Sequence, residues 1–257
     1  MTGPLYRTLL LFDIERFSDR DDVEQAFLRR MLYDVVDRIL QAAGIDRTRH
    51  LREDRGDGLL VVIDANVPVT GLLKVLLTEG PGQLHAMNRM ASSAAQIRLR
   101  TVLATGFVTQ DADGPVGTDV NLAFRLLDAE ALREALRTAT TDIALCVSES
   151  VHRGIVQHDH PGIPAASFHE ITVHSKNGPL HAWLYGSPPT PATAPAEAAQ
   201  AAAVPAPPGP APSPSPALRP HGGLHFRGRN TGVVAQQITG SVFLGGGAGG
   251  ADRGDQA

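Results

Sequence analysis

The composition of the chain breaks sharply after Tyr185-Gly186. From Ser187 to about Pro220 it is built of Pro, Ala, Ser and Thr. Such a stretch has almost no large apolar side chains to bury and reads as an extended, polyproline-rich disordered linker. Whatever core the 257-residue chain builds must therefore come from residues 1–186. Residues 221–257 form a Gly-rich tail with a patterned centre.

Within 1–186 the elements alternate. Tyr6 to Asp13 reads as a strand around Leu9-Leu10-Leu11-Phe12. Ser18 followed by Asp21 predicts a helix cap. Leu28, Leu32, Val35, Val36, Ile39 and Ala43 then share one helical face, which Gly44 ends. Gly56-Asp57-Gly58 marks a tight turn, and Leu59 to Ile63 leaves it as a strand. Val67-Pro68 precedes a helix from about Val69 to Leu77, and Leu84 to Ala95 predicts another. Arg98 to Thr109 reads as a long strand, and one helix is expected from about Asp119 to Leu136. Ile143 to Val147 is a strand, and Ser148 caps a helix to about Val156. His169 to His174 and Leu180 to Tyr185 make a terminal hairpin. The sum is an α/β domain with a mostly antiparallel sheet and helices packed on it.

Charge and cysteine content narrow the function classes. The net charge of −4 carries no electrostatic footprint for nucleic acid. The single cysteine, Cys146, excludes an internal disulfide and lies in an apolar run, where a thiol is a small buried hydrophobe. No run approaches the ~18 apolar residues of a membrane span. With no signal-peptide pattern at the N-terminus, a cytoplasmic location is expected.

Two carboxylates carry the first chemical signal. Asp13 ends one hydrophobic strand, and Asp57 sits in the turn that begins another. Acids at the ends of neighbouring strands are what a two-metal site needs. Asn121 and Arg125 stand at i and i+4 on one helical face. Taken alone they are a helix-start Asn and a solvated Arg. Lys176 lies in the turn of the terminal hairpin, where a lysine taken alone is a solvated charge. His158-Asp159-His160 lacks further ligands nearby and reads as a surface loop.

The order of these features resembles the class III adenylate/guanylate cyclase catalytic domain, over residues 5–186. The motifs that carry the resemblance are Phe12 to Ser18 (FDIERFS), Arg55 to Gly58 (RGDG), Thr105 to Val108 (TGFV) and Gly117 to Leu126 (GTDVNLAFRL). The chain looks especially like an actinobacterial branch, through the DRGDG motif, Arg125 to Ala129 (RLLDA) and Val147 to Glu149 (VSE). The resemblance implies a ferredoxin-like cyclase-homology sandwich. It implies that Asp13, Asp57 and the Ile14 carbonyl bind two Mg²⁺ or Mn²⁺ ions. It further implies that Asn121 orients the ribose, Arg125 stabilises the transition state and Lys176 contacts the triphosphate. The substrate would be a nucleoside triphosphate, and the active form a homodimer, with the metal acids from one chain and the Asn/Arg pair from the other.

Two positions depart from the family pattern. A base-selecting Lys of purine cyclases falls here on Glu53, and the second base-selecting acid falls on Gly114. Two readings stay open. The domain cyclises another nucleotide, including a pyrimidine, as some bacterial antiphage cyclases of this class do; or it is a catalytically inactive dimerisation and nucleotide-sensing scaffold.

The tail centre, residues 226–244, differs from the linker before it. It combines β-branched residues and two glutamines and has no charge after Arg229. Such composition favours stacked intermolecular strands; a disordered tail with a chance apolar patch is the alternative. The segment resembles bacterial amyloid signalling motifs, through Asn230, Val234, Gln236, Ile238 and Gly240. That resemblance implies recruitment to a receptor bearing a matching motif.

Overall fold

The computed structural model describes residues 3–175 and 178–186. The linker, the tail and Lys176 lie outside the described residues. Eight strands and six helices are described. In chain order they are β1 (Leu5–Ile14), α1 (Asp22–Ala42), β2 (His50–Asp54), β3 (Gly58–Asp64), α2 (Val69–Thr78), α3 (Gly80–Met90), β4 (Leu99–Gln110), β5 (Pro115–Val116), α4 (Thr118–Leu127), α5 (Glu130–Thr138), β6 (Ile143–Ser148), α6 (Glu149–Gly154), β7 (Phe168–Ser175) and β8 (Gly178–Tyr185).

The sheet runs β2-β3-β1-β4-β6-β8-β7, with short β5 paired to β4. Neighbouring strands are antiparallel, apart from the parallel β4–β6 pair. The β4–β6 crossover carries α4 and α5, as a parallel connection requires.

Alternation along the central strands builds two cores. Leu10, Phe12 and Ile14 of β1 join Leu59, Val61 and Ile63 of β3 in a core with α1, α2 and α3. Leu9 and Leu11 join Leu60, Val62 and Val102 in a second core with α4 and α5. Successive strand residues point to opposite faces, so an unbroken apolar run is what a strand covered on both sides needs. Fully burying each such side chain stabilises the fold by about 1.5–3 kcal/mol.

Helix ends differ from the sequence expectation in several places. The cap of α1 is Asp21, which accepts from the Val23 and Glu24 N–H groups while Glu24 reaches back to the Asp21 N–H; Ser18 lies in a preceding single turn, Phe17–Asp19. The helix expected from Asp119 to Leu136 is two helices, because Ala129 is buried in an extended conformation between them. α3 ends at Met90 and α6 at Gly154, both earlier than expected.

The seat of α4 is fixed by one glycine. A Cβ on Gly106 would lie 2.3 Å from the Asp119 side chain. Without it, Asp119 Oδ2 accepts the Phe107 N–H at 2.6 Å, tying the first turn of α4 to β4.

Candidate active site

β1 and the β2–β3 turn meet at one end of the sheet. Asp13 lies opposite Gly58, and the Ile14 N–H donates to the Asp57 carbonyl at 3.0 Å. Strand pairing alone thus brings Asp13, Ile14 and Asp57 together. Asp13 keeps the parity of Leu9 and Leu11, which assigns it to the α4–α5 face.

Across β1, the register sets Arg100 of β4 beside Asp13. Its Nε donates to Asp13 Oδ2 at 2.9 Å, and its Nη2 reaches the same oxygen. Both side chains are largely withdrawn from solvent, at 15% and 13% exposure. Burial pushes the Asp13 carboxyl above its ordinary value. The hydrogen bond and charge of Arg100 pull it down, and the charges of Asp57 and Asp128 push it further up.

The turn holding Asp57 is anchored by Asp54. Asp54 Oδ1 accepts the Gly56 N–H at 2.8 Å, an Asx-type turn, and Oδ2 accepts the Tyr33 hydroxyl at 2.6 Å and an Arg29 N–H from α1. Burial alone would push the Asp54 carboxyl up, but these hydrogen bonds outweigh it and hold the group below its ordinary value. Asp57 itself has no ion-pair partner among the described residues.

This donor set fits a divalent cation. Two adjacent carboxylates within each other's field are hard oxygen ligands whose repulsion a cation relieves. Among the described residues no group of three or more His, Cys, Asp or Glu gathers into a cage. A cation here would draw further ligands from water and substrate phosphates, as Mg²⁺ commonly does.

A second group forms between β2 and the turn before β5. A Cβ on Gly114, whose φ is +127°, would lie 2.8 Å from Glu53 Oε1 and 3.2 Å from Oε2. Glu53 Oε1 pairs with Arg55 Nη2 at 3.2 Å. Glu53 Oε2 is buried with no hydrogen-bond partner among the described residues. The Arg55 guanidinium lies over the Phe124 ring of α4, 5.0 Å from its centroid. Glu53, Gly114, Gln110 and Asp113 help line a cavity of about 260 Å³.

Asn121 is exposed and Arg125 half-buried, one turn apart on α4. Among the described residues no hydrogen bond or ion pair joins either to Asp13 or Asp57. An opening of about 990 Å³ between α1 and α3 is lined by Phe27, Met31, Met87 and Met90 among others and contains none of these residues. Arg100, Arg55 and Phe124 are site residues that sequence reasoning missed. No helix among the described residues is long and apolar enough to cross a membrane.

No family model and no curated protein matches the chain. Solved structures do. The guanylyl cyclase Cya2 is 18% identical, with 75% of this chain and 98% of that chain covered and a TM-score of 0.50. A bacterial light-regulated adenylyl cyclase is 14% identical, with 72% and 91% covered and a TM-score of 0.50. The chain therefore shares the fold of guanylyl and adenylyl cyclases.

Proposed function

We propose that the domain is a metal-dependent nucleotide cyclase, converting a nucleoside triphosphate to a cyclic monophosphate and pyrophosphate. The observation that carries this reading is the junction of Asp13 and Asp57 at one sheet end, locked through the Ile14 N–H. Asp13, Asp57 and the Ile14 carbonyl hold Mg²⁺ or Mn²⁺. Two bound ions would activate the ribose 3′-OH and neutralise phosphate charge.

Asn121 orients the ribose. Arg125 stabilises charge on the α-phosphoryl group as it develops. Lys176 contacts the triphosphate. Glu53 reads the base. A carboxylate only accepts hydrogen bonds, so its open oxygen favours a base edge that presents N–H donors, as guanine does at N1 and N2. Gly114 contributes no second side chain, leaving Glu53 as the reader.

The site is shared between two chains of a homodimer on this reading, with the acids from one chain and the Asn121/Arg125 pair from the other. Mixing inactive variants tests this. Asp57→Ala and Arg125→Ala should each be inactive alone. Mixed in equal amounts they should recover about a quarter of wild-type turnover, because half the dimers are mixed and each has one intact site of two. No recovery, with an active wild type, would place the site within one chain.

The tail segment 226–244 supports clustering of the domain onto a receptor with a matching segment, which promotes dimerisation by raising local concentration. A synthetic 226–244 peptide should form thioflavin-positive fibrils; a peptide that stays soluble and unstructured overturns this part.

A further inference from the structure

Arg55 stands two residues before Asp57, in the turn. It contacts two groups. One is Glu53 Oε1, at 3.2 Å. The other is the ring of Phe124, at 5.0 Å from the centroid, on the helix that carries Asn121 and Arg125. The first contact occupies one carboxylate oxygen and leaves Oε2 without a partner. The second links the β2–β3 hairpin to α4 through a cation–π contact.

The surroundings of Glu53 give this arrangement a use. Gly114 leaves the space where a side chain would meet the Glu53 carboxylate, beside a cavity of about 260 Å³. A buried oxygen without a hydrogen-bond partner is costly unless something donates to it. Glu53 and α4 belong to different elements, and the Arg55 side chain touches both.

We propose that Arg55 is a specificity-determining positioning residue. Its guanidinium holds Glu53 so that Oε2 meets the base, and it keeps that base-reading carboxylate in register with the ribose and phosphate contacts of α4. Arg55 does not touch substrate; it acts through Glu53 and Phe124. The inference rests on the nucleotide cyclase reading of the same site. It adds that base choice is set by a three-residue unit of Glu53, Arg55 and Phe124, spanning hairpin and helix.

The test uses the full chain with Mn²⁺ and each of GTP, ATP, CTP and UTP. KM and kcat are measured separately for wild type, Arg55→Leu, Arg55→Lys, Phe124→Leu and Glu53→Gln, with circular dichroism melts to confirm folding. Loss of one charge-assisted contact predicts about a tenfold rise in KM for the preferred nucleotide in Arg55→Leu, with a smaller change in kcat and a flattened ranking of the four bases. Phe124→Leu should shift the ranking in the same direction. Arg55→Lys should restore part of the preference, because it keeps the charge and loses the planar fork. A folded Arg55→Leu with wild-type ranking and KM, beside a Glu53→Gln whose ranking changes, overturns the inference and leaves the cyclase reading standing. A wild-type chain that turns over none of the four overturns the cyclase reading and the inference with it.

Discussion

The acid end of the sheet and the cavity beside Glu53 are built by opposite means. At the acid end, antiparallel register does the positioning, and Asp13 already has a partner in Arg100. In the cavity, a glycine makes the space and one carboxylate oxygen has no partner among the described residues. The first arrangement is only partly compensated before a cation arrives, because Asp13 is paired and, among the described residues, Asp57 is not. The second is compensated only when a donor enters. On the proposed cyclase reading, the acid end supplies the catalytic geometry, and the cavity lined by β2, β4 and the turn before β5 supplies substrate choice.

Substitutions at the two regions should therefore fail in different ways. The largest effect is expected at Asp57. Asp57→Ala should reduce Mn²⁺-dependent turnover by about a thousandfold, the scale of losing a principal transition-state stabiliser, with the melting temperature nearly unchanged. A large loss of stability in this variant would mean that Asp57 is structural.

Asp13 separates stability from catalysis. Asp13→Asn leaves the part-buried Arg100 without its carboxylate, and urea unfolding should show a loss of about 1–3 kcal/mol. Asp57→Asn should stay within about 0.5 kcal/mol of wild type. Equal losses would erase the contrast between a paired and an unpaired acid.

A smaller effect is expected in the cavity. Gly114→Ala pushes a methyl group against Glu53 in a backbone conformation that suits glycine. It should raise KM for the preferred nucleotide by about tenfold, with little change in Mn²⁺ affinity measured by titration calorimetry. An unchanged KM would remove Gly114 from base selection.

The smallest effect is expected at Cys146, which both regions leave alone. Burial pushes its thiol up to about 12. Iodoacetamide at pH 8 should leave the native protein unlabelled and label it after denaturation. Labelling of the native protein would show the α4–α5 core to be open.

Much of this was legible in the sequence, for physical reasons that differ by element. Asp13 and Asp57 stand out because each interrupts an apolar run at a strand end. Arg100 did not, although it lies in a strand that was read as such. Its importance depends on which residue stands across from it, and register follows from long-range pairing. The single helix expected from Asp119 to Leu136 failed at Asp128-Ala129 because the local pattern stays helical while packing buries Ala129 in an extended conformation. At Glu53 the loss of a donor was read as a mismatch with purines. Beside Gly114, Glu53 Oε2 has no hydrogen-bond partner among the described residues, and the proposed guanine preference rests on that oxygen. The side-chain roles at Lys176 and the tail remain proposals drawn from sequence pattern alone.

The most direct measurement incubates the purified full chain with Mn²⁺ and each of the four nucleoside triphosphates in turn and detects product by mass spectrometry. The account predicts a cyclic nucleotide and pyrophosphate in equal amounts, with GTP turned over fastest. No cyclic product from any of the four, with the chain folded and at concentrations that favour dimers, would contradict it.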